Sequence, residues 1–299
     1  MSETGRRPEE ESIATMKIPK RLEPLFESSL IDEVASQLMS GKEAEVYVVR
    51  SGDTYRCAKV YKEAKNRSFK QMAQYTEGRK VGNSRQARAM KSKSRYGREE
   101  AEKEWQNTEV EALSLLARHG VRVPESYAFL DGVLLMEMVC DENGEPAPRL
   151  NQLEFTPDSA RRYHSGLMLE VMRMLCAGII HGDLSEFNVL MGHTGPVIID
   201  LPQAVQATAN NAFSMLERDI GTLTAYFGRF APELKNTQYA REIWKLYESG
   251  TLKHDSVLTG VFKSSGKKAD VHSVMSAIEG AHEDELERRG LIKKKPEKF

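Results

Sequence analysis

The chain has 299 residues, 40% hydrophobic and 29% charged, and its 43 Lys and Arg against 44 Asp and Glu leave a net charge of −1. That is enough apolar material for a sizeable core and too little charge imbalance to name a partner, so general disorder and a collagen-like repeat are excluded. Cys57, Cys140 and Cys176 lie far apart, with neither metal-ligand spacing nor an even-numbered disulfide framework, which points to a reduced compartment.

The polar start of the chain lacks the apolar stretch of a signal peptide. No window approaches the ~18 uninterrupted apolar residues of a membrane span. The expectation is a cytoplasmic protein without membrane association.

No internal repeat is present, and residues 1–27 read as an N-terminal arm. Glu43 to Arg50 reads as a strand, Ser51-Gly52-Asp53 as a turn, and Tyr55 to Tyr61 as a second strand. From Lys62 to Arg98 there are 12 basic residues against two acidic ones, Glu63 and Glu77. With little apolar periodicity, that stretch reads as a mobile basic insertion of about 62–98, a solvated helix face being the plainer alternative. Glu99 to Arg118 predicts a helix stopped at Gly120. Tyr127 to Leu130 and Val133 to Val139, around Asp131-Gly132, predict a hairpin.

Beyond Pro148 the spacing of Tyr163, Leu167, Val171, Met174 and Leu175 is helical, with Gly178 as a stop. Short apolar strands flank His181 to Asn188 and end at Asp200, and the remainder is mostly helical. Strands first and helices later mean an α+β layout in two parts, 28–139 and 140–299, with the boundary near Cys140 to Pro148.

Three groups of residues carry chemistry. On the 99–118 helix, Trp105, Ala112, Leu113 and Leu116 form an apolar stripe, and Glu109 falls inside it. Lys59 lies on a strand face with Tyr55, Cys57 and Tyr61. Each charge would be costly to bury alone, and pairing resolves both costs. Taken singly, Lys59 also reads as a snorkelling stem and Glu109 as a helix-edge charge.

The second group is the run His181-Gly182-Asp183-Leu184-Ser185-Glu186-Phe187-Asn188-Val189-Leu190, followed by Val197-Ile198-Ile199-Asp200. Phosphoryl transfer needs a carboxylate to orient and deprotonate a hydroxyl. It also needs an amide oxygen and a second carboxylate to hold the metal that bridges the phosphates. Asp183, Asn188 and Asp200 supply that set in order. The third group is Leu38 to Tyr47, where the small-residue turn at Ser40-Gly41 lets backbone N–H groups approach phosphate oxygens, although an ordinary hairpin would look the same.

Together these motifs resemble the RIO family of atypical serine/threonine protein kinases, over about Leu38 to Phe227. The resemblance implies a bilobal kinase-like fold, with a small, mainly antiparallel β N-lobe carrying one key helix and a larger helical C-lobe. The run SGKEAEVY resembles the family's nucleotide loop, implying ATP contacts from Ser40, Gly41, Lys42, Glu43 and Ala44, with only the central glycine of the usual three. Lys59 in CAKVYK is similar to the phosphate-binding lysine, and Glu109 to its helix glutamate. LLMEMV resembles the interlobe linker, implying Met136 as gatekeeper and backbone contacts to adenine from Glu137 and Val139.

HGDLSEFNVL and IIDLPQAV resemble the catalytic and metal loops. The resemblance implies Asp183 as base, Asn188 and Asp200 as ligands of Mg²⁺ or Mn²⁺, and Asp200 as an acceptor of phosphate in an acyl-phosphate intermediate. It also implies a flexible, autophosphorylated loop at 62–98, with Ser68, Ser84, Ser92 and Ser94 as candidates. There is no activation segment, and the short arm leaves no room for a winged-helix module, so the single-kinase-domain branch is expected.

Three functions follow as expectations. The first is an ATP-dependent kinase acting on serine in a protein substrate, itself included. The second is a small-molecule phosphotransferase of the aminoglycoside or choline kinase type, which shares the His-Gly-Asp loop. The third is an ATPase switch in ribonucleoprotein or ribosome assembly, with the 62–98 loop meeting RNA. His164, His193 and the Lys-rich end read as surface features.

Overall fold

The computed structural model describes residues 18–62 and 95–262, with side chains of the second stretch described from Gln106 onward. The described residues up to Val261 form one compact unit.

The first lobe is a five-stranded antiparallel sheet in the order β1-β2-β3-β5-β4. Its centre is the predicted pair β2 (Ala44–Ser51) and β3 (Thr54–Tyr61). A two-residue turn joins them, with Gly52 at φ 60°, a conformation that costs glycine nothing. β4 (Ser126–Leu130) and β5 (Val133–Glu137) form the second predicted hairpin. β1 (Glu33–Ser40) is an unpredicted edge strand, exposed along nearly its whole length and twice shifted in register against β2.

Strand alternation splits the sheet into two faces. Tyr47, Val49, Ala58, Val60, Val133 and Leu135 point away from the second lobe. Leu22, Leu25 and Ile31 cover them, from a 3₁₀ turn at Lys20–Leu22, the short helix α1 (Glu23–Glu27) and the residues after it. Packing of this lobe therefore begins inside the segment read as an arm. The other face carries Lys59, Tyr61 and Leu134 toward α2 (Arg95–Arg118), whose Ala112, Leu113 and Leu116 are buried.

α2 starts at Arg95, four residues before the expected Glu99. Its first turns are rich in Glu, Lys and Arg, good helix formers that show no apolar period. The rest of the basic insertion lies outside the described residues.

The second lobe is helical. α3 (Pro157–Cys176) is capped by Thr156, which accepts the Ser159 N–H at 3.2 Å, and carries Pro157 at its first position. It packs Leu167, Met168, Val171 and Leu175 against α4 (Ala212–Phe227) and ends before Gly178 at φ 77°. α5 (Tyr239–Glu248) packs against both. Between α3 and α4 lie two small antiparallel pairs, β6 (Ile179–Ile180) with the distant β9 (Val205–Gln206), and the hairpin of β7 (Val189–Gly192) and β8 (Gly195–Ile198). They hold His181–Asn188 and Asp200 at the interlobe edge.

His193 is exposed, but the expectation of a surface position for His164 is wrong. His164 is fully buried on α3, against Phe227 and Tyr239, with Nε2 2.9 Å from the Thr224 hydroxyl.

Candidate active site

Lys59 is the meeting point of the two lobes. Its ammonium lies 2.7 and 2.9 Å from the two carboxylate oxygens of Glu109 and 2.8 Å from Oδ1 of Asp200. Burial pulls the lysine pKa down, but the two carboxylates more than offset it and hold it above its ordinary value. Lys59 in turn holds the carboxyl of Asp200 below the usual carboxylate range against the opposing effect of burial. Asp200 adopts a left-handed backbone, φ 68°, which aspartate tolerates better than most residues. The Tyr61 hydroxyl, one strand repeat from Lys59, donates to Oε2 of Glu109.

The loop between β6 and β7 carries Asp183 and Asn188, and α4 anchors it from below. Buried Asp219 accepts the backbone N–H groups of Gly182 at 2.8 Å and Leu184 at 3.2 Å, while Arg218 donates to the Gly182 carbonyl. Gly182 has φ 82°, and a side chain there would strike the Gln203 carbonyl and Met215. His181 Nε2 bonds the Ile199 carbonyl at 3.0 Å, tying this loop to the residue before Asp200. Burial raises the pKa of Asp183, with Asp200 adding to the effect and His181 and Arg218 opposing it. The Asn188 amide nitrogen donates to the Asp183 carbonyl at 2.9 Å, which turns the amide oxygen away from that contact.

A cavity of about 1360 Å³ runs between the lobes. Gly41, Lys42, Glu43 and Ala44 line its outer edge, where the Gly41 N–H closes the β1–β2 turn on the Ala44 carbonyl at 2.9 Å. Ser40 is set just outside, accepting from Lys62 at 3.2 Å. Lys59, Glu109 and Asp200 line the floor, and Met136, Glu137 and Val139 line the linker side. The structure thus gathers these expected residues along one cleft. Ser68, Ser84, Ser92 and Ser94 lie outside the described residues.

Two features were not anticipated. Arg122 makes a bidentate pair with the Glu137 side chain, at 2.9 and 2.7 Å, while its own N–H donates to Glu170 at 2.9 Å. Asp219 was also missed. Its place between Leu216 and Leu223 on an apolar helix face is the same signal that marked Glu109.

Among the described residues, no cluster of three or more His, Cys, Asp or Glu forms a self-sufficient metal cage. Asp200 and Asn188 offer hard oxygen donors. Such a pair suits Mg²⁺ or Mn²⁺ when substrate phosphates complete the coordination.

A family model described as the RIO domain matches residues 45–240. A RIO-type serine/threonine-protein kinase Rio1 of Haloferax volcanii is 33% identical over 212 residues, spanning 69% of this chain and 67% of the relative. The serine/threonine-protein kinase rio1 of Schizosaccharomyces pombe is 30% identical over 213 residues, and the match spans 69% of this chain but only 40% of that longer protein. The fold is also similar to the crystal structure of a Rio2 kinase–ADP/Mg²⁺–phosphoaspartate complex from Chaetomium thermophilum. That likeness has a TM-score of 0.54 at 20% identity and covers 88% of this chain and 75% of the other.

Proposed function

The chain belongs to the RIO family of serine/threonine-protein kinases, and from that premise we propose that it transfers the γ-phosphate of ATP to a serine hydroxyl. The observation that carries the reading is the Lys59 ammonium held between Glu109 and Asp200 on the floor of a nucleotide-sized cleft.

In this reading the adenine lies against the linker. The Glu137 N–H already donates to the Glu125 carbonyl, and the Val139 carbonyl already accepts from Ala147. Adenine therefore meets the carbonyl of Glu137 and the N–H of Val139. Lys59, oriented by Glu109, turns to the phosphates. Asn188 and Asp200 hold Mg²⁺ or Mn²⁺, which when bound neutralises phosphate charge. Asp183 orients the serine hydroxyl and takes its proton as the oxygen attacks phosphorus and ADP departs.

The acceptor is a protein, this chain included, acting in the cytoplasm. The basic 62–98 segment is the candidate contact for ribosomal RNA. No helix among the described residues is long and apolar enough to cross a membrane.

A second reading makes Asp200 the acceptor. Its oxygen would attack the γ-phosphate, ADP would leave, and water would hydrolyse the acyl phosphate to reset an ATPase switch. The position of Asp200 on the cleft floor and the phosphoaspartate named for the Rio2 structure favour keeping it.

Labelling the full chain with γ-phosphate-labelled ATP and Mg²⁺ or Mn²⁺ separates the two. Acid-stable label on serine, lost in Asp183→Asn, supports the kinase. Hydroxylamine-labile label, lost in Asp200→Asn, supports the switch. No label and no ATP consumption with either metal overturns both.

A further inference from the structure

Arg149 enters the cleft from the second lobe, directly before the short 3₁₀ turn Leu150–Gln152. Its backbone is fixed twice, by donating its N–H to Oε1 of Gln152 at 2.8 Å and by a bridge to Leu190 on β7. The side chain crosses to the first lobe, where Nη2 lies 3.0 Å from the sulfur of Met39, near the end of β1.

That contact is chemically poor. A guanidinium offers five donors in a planar fork suited to carboxylate or phosphate, whereas a thioether is a weak acceptor. Arg50, Arg122, Arg161 and Arg173 each meet a carboxylate. Among the described residues Arg149 meets none. Arg149 lines the same cavity as Lys59 and Asp200. A guanidinium on the wall of the cavity that Lys59 and Asp200 also line, with its side-chain hydrogen bond made to a sulfur, is arranged to receive an anion.

We propose that Arg149 binds the phosphates of the nucleotide, exchanging its contact with Met39 for phosphate oxygens and so adding a second-lobe cation to Lys59. This rests on the ATP reading above and assigns a residue to it. Phosphate oxygens would give the fork charge-assisted bonds about twice as strong as neutral ones.

The test is calorimetric titration of the full chain with ADP and with adenosine in Mg²⁺, for the unmodified protein, Arg149→Ala, Arg149→Lys and Met39→Leu. The expected result is ADP affinity about tenfold or more weaker in Arg149→Ala, partly restored in Arg149→Lys, with adenosine affinity unchanged. Met39→Leu should leave ADP affinity intact or improved, since it removes only the resting partner. The proposal is overturned if ADP binds Arg149→Ala as well as the unmodified protein, or if adenosine loses as much as ADP. An equal loss in Met39→Leu would also overturn it, by making the interlobe contact itself the cause. If the unmodified protein binds neither ligand, the ATP reading falls first and the role of Arg149 with it.

Discussion

Tyr61 and Glu109 are hydrogen-bonded on the buried floor of the cleft, phenol to carboxylate, on the same oxygen that Lys59 approaches at 2.9 Å. Glu109 is therefore held by two residues of one strand face. Tyr61→Phe keeps the packing against Phe129 and removes only the donor. It should cost about 2 kcal/mol in urea denaturation and weaken ADP binding about threefold. Glu109→Gln should cost more, because buried Lys59 then keeps only Asp200 as a full counter-charge. Equal stability of Tyr61→Phe and the unmodified protein would remove the phenol from the site's support.

In the proposed transfer Asp183 has to be ionised to accept a proton, and burial raises its pKa above the ordinary value of 3.8. The sign is then set: kcat/KM climbs with pH through the raised pKa, so the acid limb lies above pH 3.8. Arg218 opposes the rise. Arg218→Gln should accordingly move the limb to still higher pH, and a pH–rate profile of the two proteins checks the displacement. A limb that shifts downward would contradict the assignment.

Asp219 uses both carboxylate oxygens on the loop, one for Gly182 and one for Leu184. Asp219→Asn replaces one acceptor with a donor facing an N–H. A loss of about 1–3 kcal/mol is expected from the group left unsatisfied. Gly182→Ala faces positive φ and backbone contact together and should be worse for turnover than for ADP affinity. Measuring kcat and ADP affinity in parallel tests whether the loop, and not the cleft, is what moved.

His164 has no partner for its buried Nδ1, and burial lowers its pKa from 6.5 to about 4. Its folded pKa lies below the unfolded one, so its contribution is fully present above 6.5 and is lost as pH falls toward 4. Going from about pH 7.5 to pH 5 should cost about 2 kcal/mol from this group. Denaturant curves of His164→Leu should lack that component. An unchanged pH slope in the variant would refute it.

Much of the site was legible because charges in apolar stripes are hard to explain unless they pair. Lys59 and Glu109 could be matched on that ground alone, 50 residues apart. The same test applied to α4 would have found Asp219, whose neighbours Glu217 and Arg218 disguise it as part of a solvated face. β1 was illegible for a different reason. Exposed on both faces and irregular in register, it has no alternation to read and takes its conformation from pairing with β2. The Arg122–Glu137 pair lies beyond any periodicity, since it joins the turn after α2 to the linker and depends on how the sheet meets the helix.

The cluster that buries Tyr61, Leu113 and Leu134 also contains Leu150, Leu184, Ile198 and Leu201, so the floor of the cleft is continuous with the interior of both lobes. Neither lobe can melt alone without stripping the other of packing, and one calorimetric transition follows for the described residues up to Val261. Damage near Tyr61 or Leu134 then propagates to Asp183 and Asp200 as global unfolding. Damage around Leu22 and Leu25, in the separate cluster behind the sheet, loosens the outer layer first and leaves the loop of Asp183 in place.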